Sequence, residues 1–582
     1  MSDSTGALVT RMYSGFRGVD FRGDEINLVR SPDSLNVWKD YKETDSIRTR
    51  PGTELFTSFT YNPGDGRGIN GLFFYNDSVI VHNDNALWEV KDGTKKRLDV
   101  NINGFQYVQR NRSHGFVYEN KLYFMDGLSY LCYDGENVTT ISSPNQAIPP
   151  QHCYVPTTSI GRKPSGGGTV HEDVNLLSEW RINTFVSDGK STRYYLDTQN
   201  ITAQLPEVTV NGNAKSDIVN MNSANGWIEF RTPPELPQTD GQDNVVIKFK
   251  KTVSGNAERI LGCTLSQVFD NRVFVTGNPN YPNTVWHCSL NDPTYFSDLD
   301  YYREGMDDAK ITGMVAGNNA LWVFREPSDA NTTVFYHTPT IDEEYGKIYP
   351  STHSSITMGC VGSAINFNDD IVFFSQRGME GISGDVTTEQ VVAHRSSLVD
   401  RKLLAEANYK NMILAEWEGY LMVFIGSKVY LADSRAVFTN ENHIEYEWFY
   451  WEMGVPITYA KVYNGVLYIG TEYGRIYTLT NYESNVESYW VTPKDKFKHP
   501  HKLKTTNKRG CVAEATGDVS VYAKTDKTDF ELIGTYEDVE DAFISRIKRK
   551  KFKDIQLKFH SKTRFSLETV TLECFIGGYI KR

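Results

Sequence analysis

Residues 461–479 read K-V-Y-N-G-V-L-Y-I-G-T-E-Y-G-R-I-Y-T-L: an apolar run, an Asn-Gly pair, alternating Leu467 and Ile469, a second turn at Tyr473-Gly474, and a third apolar run. Asn-Gly supplies the positive φ angles of a two-residue hairpin, so the pattern predicts three strands joined by two tight turns. A turn pair followed by one free position and three mostly apolar β-formers recurs at Asn76-Asp77, Glu119-Asn120, Asp270-Asn271, Asn318-Asn319, Asn368-Asp369 and Glu418-Gly419. Counted between second turn residues, from Asp77 to Gly465, the intervals are 43, 151, 48, 50, 50 and 46 residues. An all-β repeat of that length is too short to bury both faces of a sheet alone, and predicts a propeller blade of about four strands stacked on its neighbours. The expected fold is all-β: a β-propeller of six to eight blades, seven favoured. Unrelated hairpins in one long sandwich would not keep a single spacing over consecutive units.

The triple interval between Asn120 and Asn271 marks an insertion. It opens with Pro149-Pro150 and Pro164-Ser165-Gly166-Gly167-Gly168, and then gives short alternating segments such as Val245-Val246-Ile247-Lys248-Phe249, which need a face to bury. The expected organisation is an N-terminal arm and first strand over 1–60, first blades over 61–148, an inserted β-sandwich over 149–255, remaining blades over 256–490, and a C-terminal β-sandwich-like domain over 491–582. One helix is expected over 396–407, where a Ser cap precedes apolar residues at helical spacing.

Composition agrees with a β-protein: 34 Tyr, 30 Phe, 10 Trp and 45 Gly in 582 residues. The net charge of −12 is unevenly spread, +7 over 494–582 and −19 over the rest. An acidic body argues against wrapping nucleic acid, which needs clustered Lys and Arg. No apolar run approaches a membrane span, and residues 1–11 hold no apolar signal core, so a chain made and kept in solution inside a cell is expected. The seven cysteines lack a C-x-x-C pair, which points to buried free thiols rather than a zinc site or a disulfide framework.

Candidate chemistry is sparse. No G-x-S-x-G, H-E-x-x-H or G-x-x-x-x-G-K-[ST] is present. Gly166-Gly167-Gly168 and Gly64-Asp65-Gly66-Arg67-Gly68 read as loops, and Asp240-Gly241-Gln242-Asp243-Asn244 as a turn that only loosely resembles a calcium loop. Propeller glycosidases use paired carboxylates, for which Asp298 with Asp300, or Glu343 with Glu344, are the candidates, although such pairs are common on solvated strand ends. His499 and His501 could bind a metal but have no third ligand nearby in sequence. The basic run Arg546-Ile547-Lys548-Arg549-Lys550-Lys551-Phe552-Lys553 suits either docking on an acidic partner or an edge strand kept soluble by its lysines. No catalytic, cofactor-binding or metal-binding residue is assigned, and no enzymatic activity is expected.

The N-terminal pattern G-V-D…R-S-P-D-S-L-N-V-W-K-D-Y…R-T-R-P-G-T resembles the start of the tail nozzle proteins of short-tailed bacteriophages, also known as tail tubular and phage stabilisation proteins. The stretch from Asn271 through Asn278-Pro279, Trp286-His287-Cys288 and Asp292-Pro293-Thr294-Tyr295-Phe296 is similar to the middle of those proteins. So are Leu321-Trp322-Val323-Phe324-Arg325-Glu326 and Phe374-Ser375-Gln376-Arg377-Gly378-Met379-Glu380-Gly381-Ile382. The resemblance implies a structural virion protein, assembled in the host cytoplasm, that forms a homohexameric ring below the portal and adaptor of the head-tail connector. Such a ring lines the DNA ejection channel, holds the genome in, and meets tail fibres or other distal tail proteins, with no membrane partner. It also implies that the insertion helps the ring dock or self-associate. An acidic body suits a channel through which DNA slides without sequence-specific binding. The alternative is a glycan-binding or glycan-hydrolysing propeller of a phage tail or cell surface, which should show clustered channel acids. A propeller scaffold of the WD or kelch kind should show its repeat signature, which is missing.

Overall fold

The computed structural model describes residues 6–23, 27–42, 46–59, 68–99, 111–141, 153–156, 174–306, 309–328, 332–343, 346–383, 391–440, 443–547 and 551–579. Seven four-stranded antiparallel sheets succeed one another along the chain. Blade one comprises Ile69–Tyr75, Ser78–Asn83, Ala86–Lys91 and Thr94–Arg97; blade two comprises His114–Tyr118, Lys121–Met125, Tyr130–Tyr133 and Val138–Thr140. Blade three comprises Leu265–Phe269, Arg272–Thr276, Thr284–His287 and Tyr301–Arg303; blade four comprises Ile311–Gly317, Ala320–Arg325, Val334–His337 and Ser351–His353. Blade five comprises Ala364–Phe367, Asp370–Ser375, Gly378–Ser383 and Val391–His394; blade six comprises Ile413–Trp417, Tyr420–Ile425, Lys428–Asn440 and His443–Glu452. Blade seven takes Ile457–Tyr463, Val466–Thr471 and Arg475–Asn481 from the end of the repeat, and its fourth strand, Gly52–Ser58, from the N-terminal region.

The seven turn pairs each join the first and second strands of a blade. At six of them both residues have positive φ, including Glu119 at 45° and Glu418 at 49°, as a two-residue hairpin with the right-handed strand twist requires. At the first pair only Asn76 does, at 51°.

Stacking of the blades explains why their second strands read as continuous apolar runs rather than alternating ones. In blade six, Tyr420, Met422 and Phe424 enter the core shared with blade seven and the C-terminal strands. The intervening Leu421, Val423 and Ile425 enter the core shared with blade five. In blade two, Leu122 and Phe124 pack toward blade one, and Tyr123 and Met125 toward blade three. A strand covered on both faces has no solvent side on which to place polar residues. The fold is a β-propeller of seven blades.

Between blades two and three lies the inserted β-sandwich. One sheet runs Cys153–Pro156, Trp180–Phe185, Val245–Lys250, Glu207–Val210, Asn213–Ala214, and the other Arg193–Tyr195, Trp227–Phe230, Ile218–Asn222. Its core of Phe185, Tyr194, Ile228, Phe230, Ile247 and Phe249 is its own. After blade seven the chain forms the C-terminal domain around Lys502–Thr525, a strand that pairs in succession with Phe565–Tyr579, Ala542–Ser545, Thr528–Val539 and Ile555–Ser561. The N-terminal arm is sewn into the same sheet, with Ala7–Ser14 and Ile47–Thr49 on Phe565–Tyr579, and Ser34–Leu35 on Ser488–Val491.

By contacts the chain divides into two compact units. One holds Met1–Leu72, Thr332–Val334 and Ser354–Arg582, the other Phe73–Asn331 and Phe335–His353. The helix expected over 396–407 shrinks to Asp400–Leu403. Ser396 is not its cap: the hydroxyl accepts the Met379 amide at 2.8 Å and donates to Asp400 at 2.6 Å. The cysteine side chains described, Cys132, Cys263, Cys288, Cys360, Cys511 and Cys574, are buried, and none of them is joined in a disulfide. Among the described residues no helix is long and apolar enough to cross a membrane.

Candidate functional site

The motifs around Arg30–Trp38, Asn271–Asn278, Asp292–Phe296 and Phe374–Ile382 include residues in buried polar joints. In blade three, Asn271 closes the first hairpin, and Arg272 donates from Nε to the Tyr349 hydroxyl at 3.1 Å and from Nη1 to the Cys288 carbonyl at 2.9 Å. Tyr349 in turn donates to Asp270 at 2.6 Å. Asn278, almost wholly buried, donates from Nδ2 to the carbonyls of Glu258 and Arg259 at 2.9 and 2.8 Å. Those carbonyls belong to the helix Asn256–Leu261, which leads the chain out of the inserted sandwich. Gly262 follows it, and a Cβ there would lie 2.5 Å from the Asn278 amide, so the close approach needs glycine.

The incoming end of the insertion is held by the same blade. Asn175 donates to the Thr294 carbonyl at 3.1 Å, while its Oδ1 accepts the amides of Leu177 and Phe296 at 3.1 and 3.2 Å. Beside it Asp298 Oδ1 accepts the Val174 amide at 2.8 Å, and the Tyr130 hydroxyl of blade two donates to the Pro293 carbonyl at 2.9 Å. Asp298, a candidate acid in the sequence, is thus occupied as a backbone acceptor. Asp300 lies 3.9 Å from His287, whose burial pulls its pKa down to about 4 and keeps the ring neutral. In the adjoining blade His337 Nε2 lies 3.0 Å from the buried Glu304, which also accepts the Ser351 hydroxyl at 2.6 Å.

The N-terminal motif forms a second joint. Arg30 binds Glu447 of blade six through both guanidinium arms, at 2.7 and 2.6 Å, and lies over the Phe438 ring at 4.3 Å from its centroid. Burial lifts the Glu447 carboxyl above its ordinary range against the opposing pull of Arg30. Ser31 donates to the Val491 carbonyl at 2.7 Å, tying the arm to the C-terminal domain. Asn36 takes a positive φ of 55°, and its Oδ1 accepts both Arg50 Nε and the Glu452 amide, at 3.0 and 2.9 Å. Trp38 stacks on Trp417 at 5.3 Å between centroids.

In blade five, Ser375, Glu380, His394, Ser396 and Asp400 form a cluster that superficially resembles a hydrolase triad. His394 has Glu380 3.2 Å from Nδ1 and Asp400 2.6 Å from Nε2. Burial alone would lower its pKa, but hydrogen bonds and charge from the two carboxylates outweigh that and raise it to about 10. The imidazolium has no lone pair to accept a proton, and the Ser396 hydroxyl donates to Asp400 rather than to His394. Neither requirement of an activated serine is met.

Other sequence candidates lie apart. Asp240–Asn244 is a turn, closed by the Gln242 amide on the Thr239 carbonyl at 3.1 Å, with Asn244 tying the Ser187 amide to the Glu235 carbonyl at 2.9 and 2.8 Å. His499 contributes its carbonyl to the buried Lys504 ammonium. Among the described residues no group of three His, Cys, Asp or Glu side chains could hold a metal ion. Of the basic run, Phe552 is buried and pairs with Lys504, and Lys553 donates its amide to Asp526 at 2.7 Å. Residues 548–550, Glu344, 64–67 and 164–168 lie outside the described residues. The partnerships of Asn175 and of Arg30 with Glu447 have no local signature in the sequence, because the partners are separated by 119 and 417 positions.

No family model matches the chain, and no curated protein matches it. Among solved structures it is similar to BamB from Moraxella catarrhalis at 9% identity and a TM-score of 0.32, covering 81% of this chain and 97% of that one. It is similar to apo AztD from Citrobacter koseri at 8% identity and a TM-score of 0.30, covering 96% and 100%. The computationally designed Ika8 protein is similar at 9% identity and a TM-score of 0.29, covering 72% and 98%. Scores this low leave the case for a propeller with the seven sheets themselves.

Proposed function

We propose that this chain is a structural virion protein, the tail nozzle subunit of a bacteriophage, that assembles as a homohexameric ring below the portal and adaptor. In this reading the ring lines the path of DNA ejection and retains the genome, and it catalyses no reaction. What supports it is where the resembling segments lie. Arg30 and Ser31 fasten the arm, Asn278 and the stretch around Thr294 fasten the insertion, and Glu380 pairs with His394 inside blade five, so the titratable groups among them are spent on internal partners. A chain whose matching motifs are fasteners suits a part under mechanical load.

In this reading the inserted sandwich is an interface with a neighbouring subunit. It has its own core, and its two ends meet where the Lys251 amide donates to the Glu179 carbonyl at 2.8 Å. Residues 180–250 can therefore be replaced by a short glycine-rich linker without pulling the flanking chain apart. Electron microscopy of the purified full chain should show sixfold rings, and the shortened variant should stay folded but fail to form them. A full chain that stays monomeric at all concentrations removes the ring reading. A shortened variant that still forms rings removes only the role given to the insertion.

A further inference from the structure

The N-terminal strand Ala7–Ser14 is an edge of its sheet. It pairs along its whole length with Phe565–Tyr579, from Ala7 opposite Ile576 to Ser14 opposite Thr569, with no bulge. Among the described residues no strand lies on its other side, and no backbone hydrogen bond leaves it there. Val9, Arg11 and Tyr13 point inward. Val9 packs on the domain core, while Arg11 Nε and the Tyr13 hydroxyl both donate to the buried Asp495, at 3.1 and 3.0 Å. Leu8, Thr10 and Met12 point to solvent, with Leu8 49% and Met12 56% exposed. The one charge on the strand, Arg11, is thus turned in and spent, and its outer face is neutral and mostly apolar.

Other outer strands are guarded against pairing with a neighbour. Thr94–Arg97 of blade one is four residues long and carries Lys95, Lys96 and Arg97. Gly52–Ser58 of blade seven carries Glu54 and breaks its ladder at two register shifts. Thr528–Val539 of the C-terminal domain carries Asp529, Glu531, Glu537 and Asp538 and breaks its ladder at three. Charge, shortness and bulges are the means by which edge strands avoid adding a strand from another molecule. Ala7–Ser14 has none of them: it keeps eight residues in unbroken register, with neither proline nor glycine.

We infer that Ala7–Ser14 adds to the same strand of a second copy of this chain, antiparallel, about a two-fold axis that passes through Thr10 normal to the sheet. The sequence selects that register. With Thr10 opposite its own copy, Leu8 falls opposite Met12 and Val9 opposite Arg11, so the exposed apolar side chains meet on one face and each guanidinium keeps its Asp495. Centring on Arg11 would oppose two like charges, and centring on Val9 would leave Met12 opposite Gly6. Glu573, beside Thr10 on the next strand, ends three strand spacings from its copy, about 14 Å, which is beyond the screening length of about 8 Å. The contact is isologous and closes on itself. Neighbours in a sixfold ring meet through unlike surfaces, so this contact joins a copy in a ring to one outside it and goes beyond the reading above.

The test is a cysteine placed on the axis of the full chain. Residues directly opposite in an antiparallel pair have Cβ atoms about 4.5–5.5 Å apart, so Thr10→Cys should give a disulfide-linked dimer on mild oxidation with copper phenanthroline. The wild-type chain, with its seven cysteines, sets the background on a non-reducing gel. Ser14→Cys should stay at that background, because its copy lies eight residues further along the ladder, about 27 Å away. Thr10→Lys brings two ammonium groups together at the axis and should raise the dimer dissociation constant at least about tenfold, read by native mass spectrometry across a dilution series. Thr10 is exposed, so thermal melting of the variants should be unchanged. A Thr10→Cys chain that stays at background, an equal cross-link from Ser14→Cys, or a Thr10→Lys dimer as tight as wild type each overturns the pairing. Rings without the cross-link leave the ring reading standing alone, and the cross-link without rings leaves the pairing standing alone.

Discussion

The insertion and the N-terminal arm are both long-range attachments, but they are fastened by different chemistry. The insertion is held to blade three mainly by two asparagine amides bonded to backbone, Asn175 and Asn278. The arm is held to blade six by a buried ion pair, Arg30 with Glu447. An amide that loses its partner leaves unmet hydrogen bonds, whereas a buried ion that loses its partner leaves an uncompensated charge. The ionic joint is therefore the more brittle.

The sharpest way to break the comparison is Glu447→Ala, which strands Arg30 in a site under a tenth exposed. It should cost about 3–5 kcal/mol, read as a lower midpoint in urea denaturation. Asn175→Ala should cost less, about 1–3 kcal/mol, and should expose the chain around residues 174–179 to limited proteolysis. If the asparagine variant proves the costlier, the ranking of the two joints is wrong.

Protonation distinguishes the two units further. His287 has a folded pKa of about 4, below its ordinary 6.5, so its contribution is complete above pH 6.5 and is lost as the pH falls through 4. His394 has a folded pKa of about 10, so its contribution is complete below pH 6.5 and is lost as the pH rises through 10. Thermal melting against pH should show an acid limb that flattens in His287→Gln and an alkaline limb that flattens in His394→Gln. Exchanged limbs would refute the assignment. The smallest effect expected is a gain: Glu119→Gly removes a side chain from a φ of 45° and should stabilise blade two by about 1 kcal/mol.

Legibility in the sequence followed the range of the interaction. The hairpins were readable because two-residue turns need residues tolerant of positive φ, and Asn, Asp and Gly mark those places directly. The insertion was readable as an interruption of that period. The helix over 396–407 was overread because Ser396 looks like a cap in isolation, and only the folded blade brings the Met379 amide to its hydroxyl. The fourth strand of blade seven and the joints at Asn175 and Arg30 had no such mark, since each side chain or strand acquires its meaning from a partner hundreds of residues away or beyond an inserted domain. The candidate acid Asp298 was visible as a residue, but its use as an acceptor for the Val174 amide was not.

Closing blade seven with Gly52–Ser58 also sets a timetable for synthesis. The strand emerges from the ribosome long before Arg475–Asn481, its hydrogen-bonding partner, has been made. At about 5–20 residues per second, the 417 positions between Ser58 and Arg475 take roughly 20–80 s to translate. For that interval a strand carrying Leu55 and Phe56, which stay partly exposed even after pairing, waits without its ladder. Nascent chains on crowded polysomes thus carry a sticky open edge for that interval, and the last blade cannot close until Arg475–Asn481 has been made.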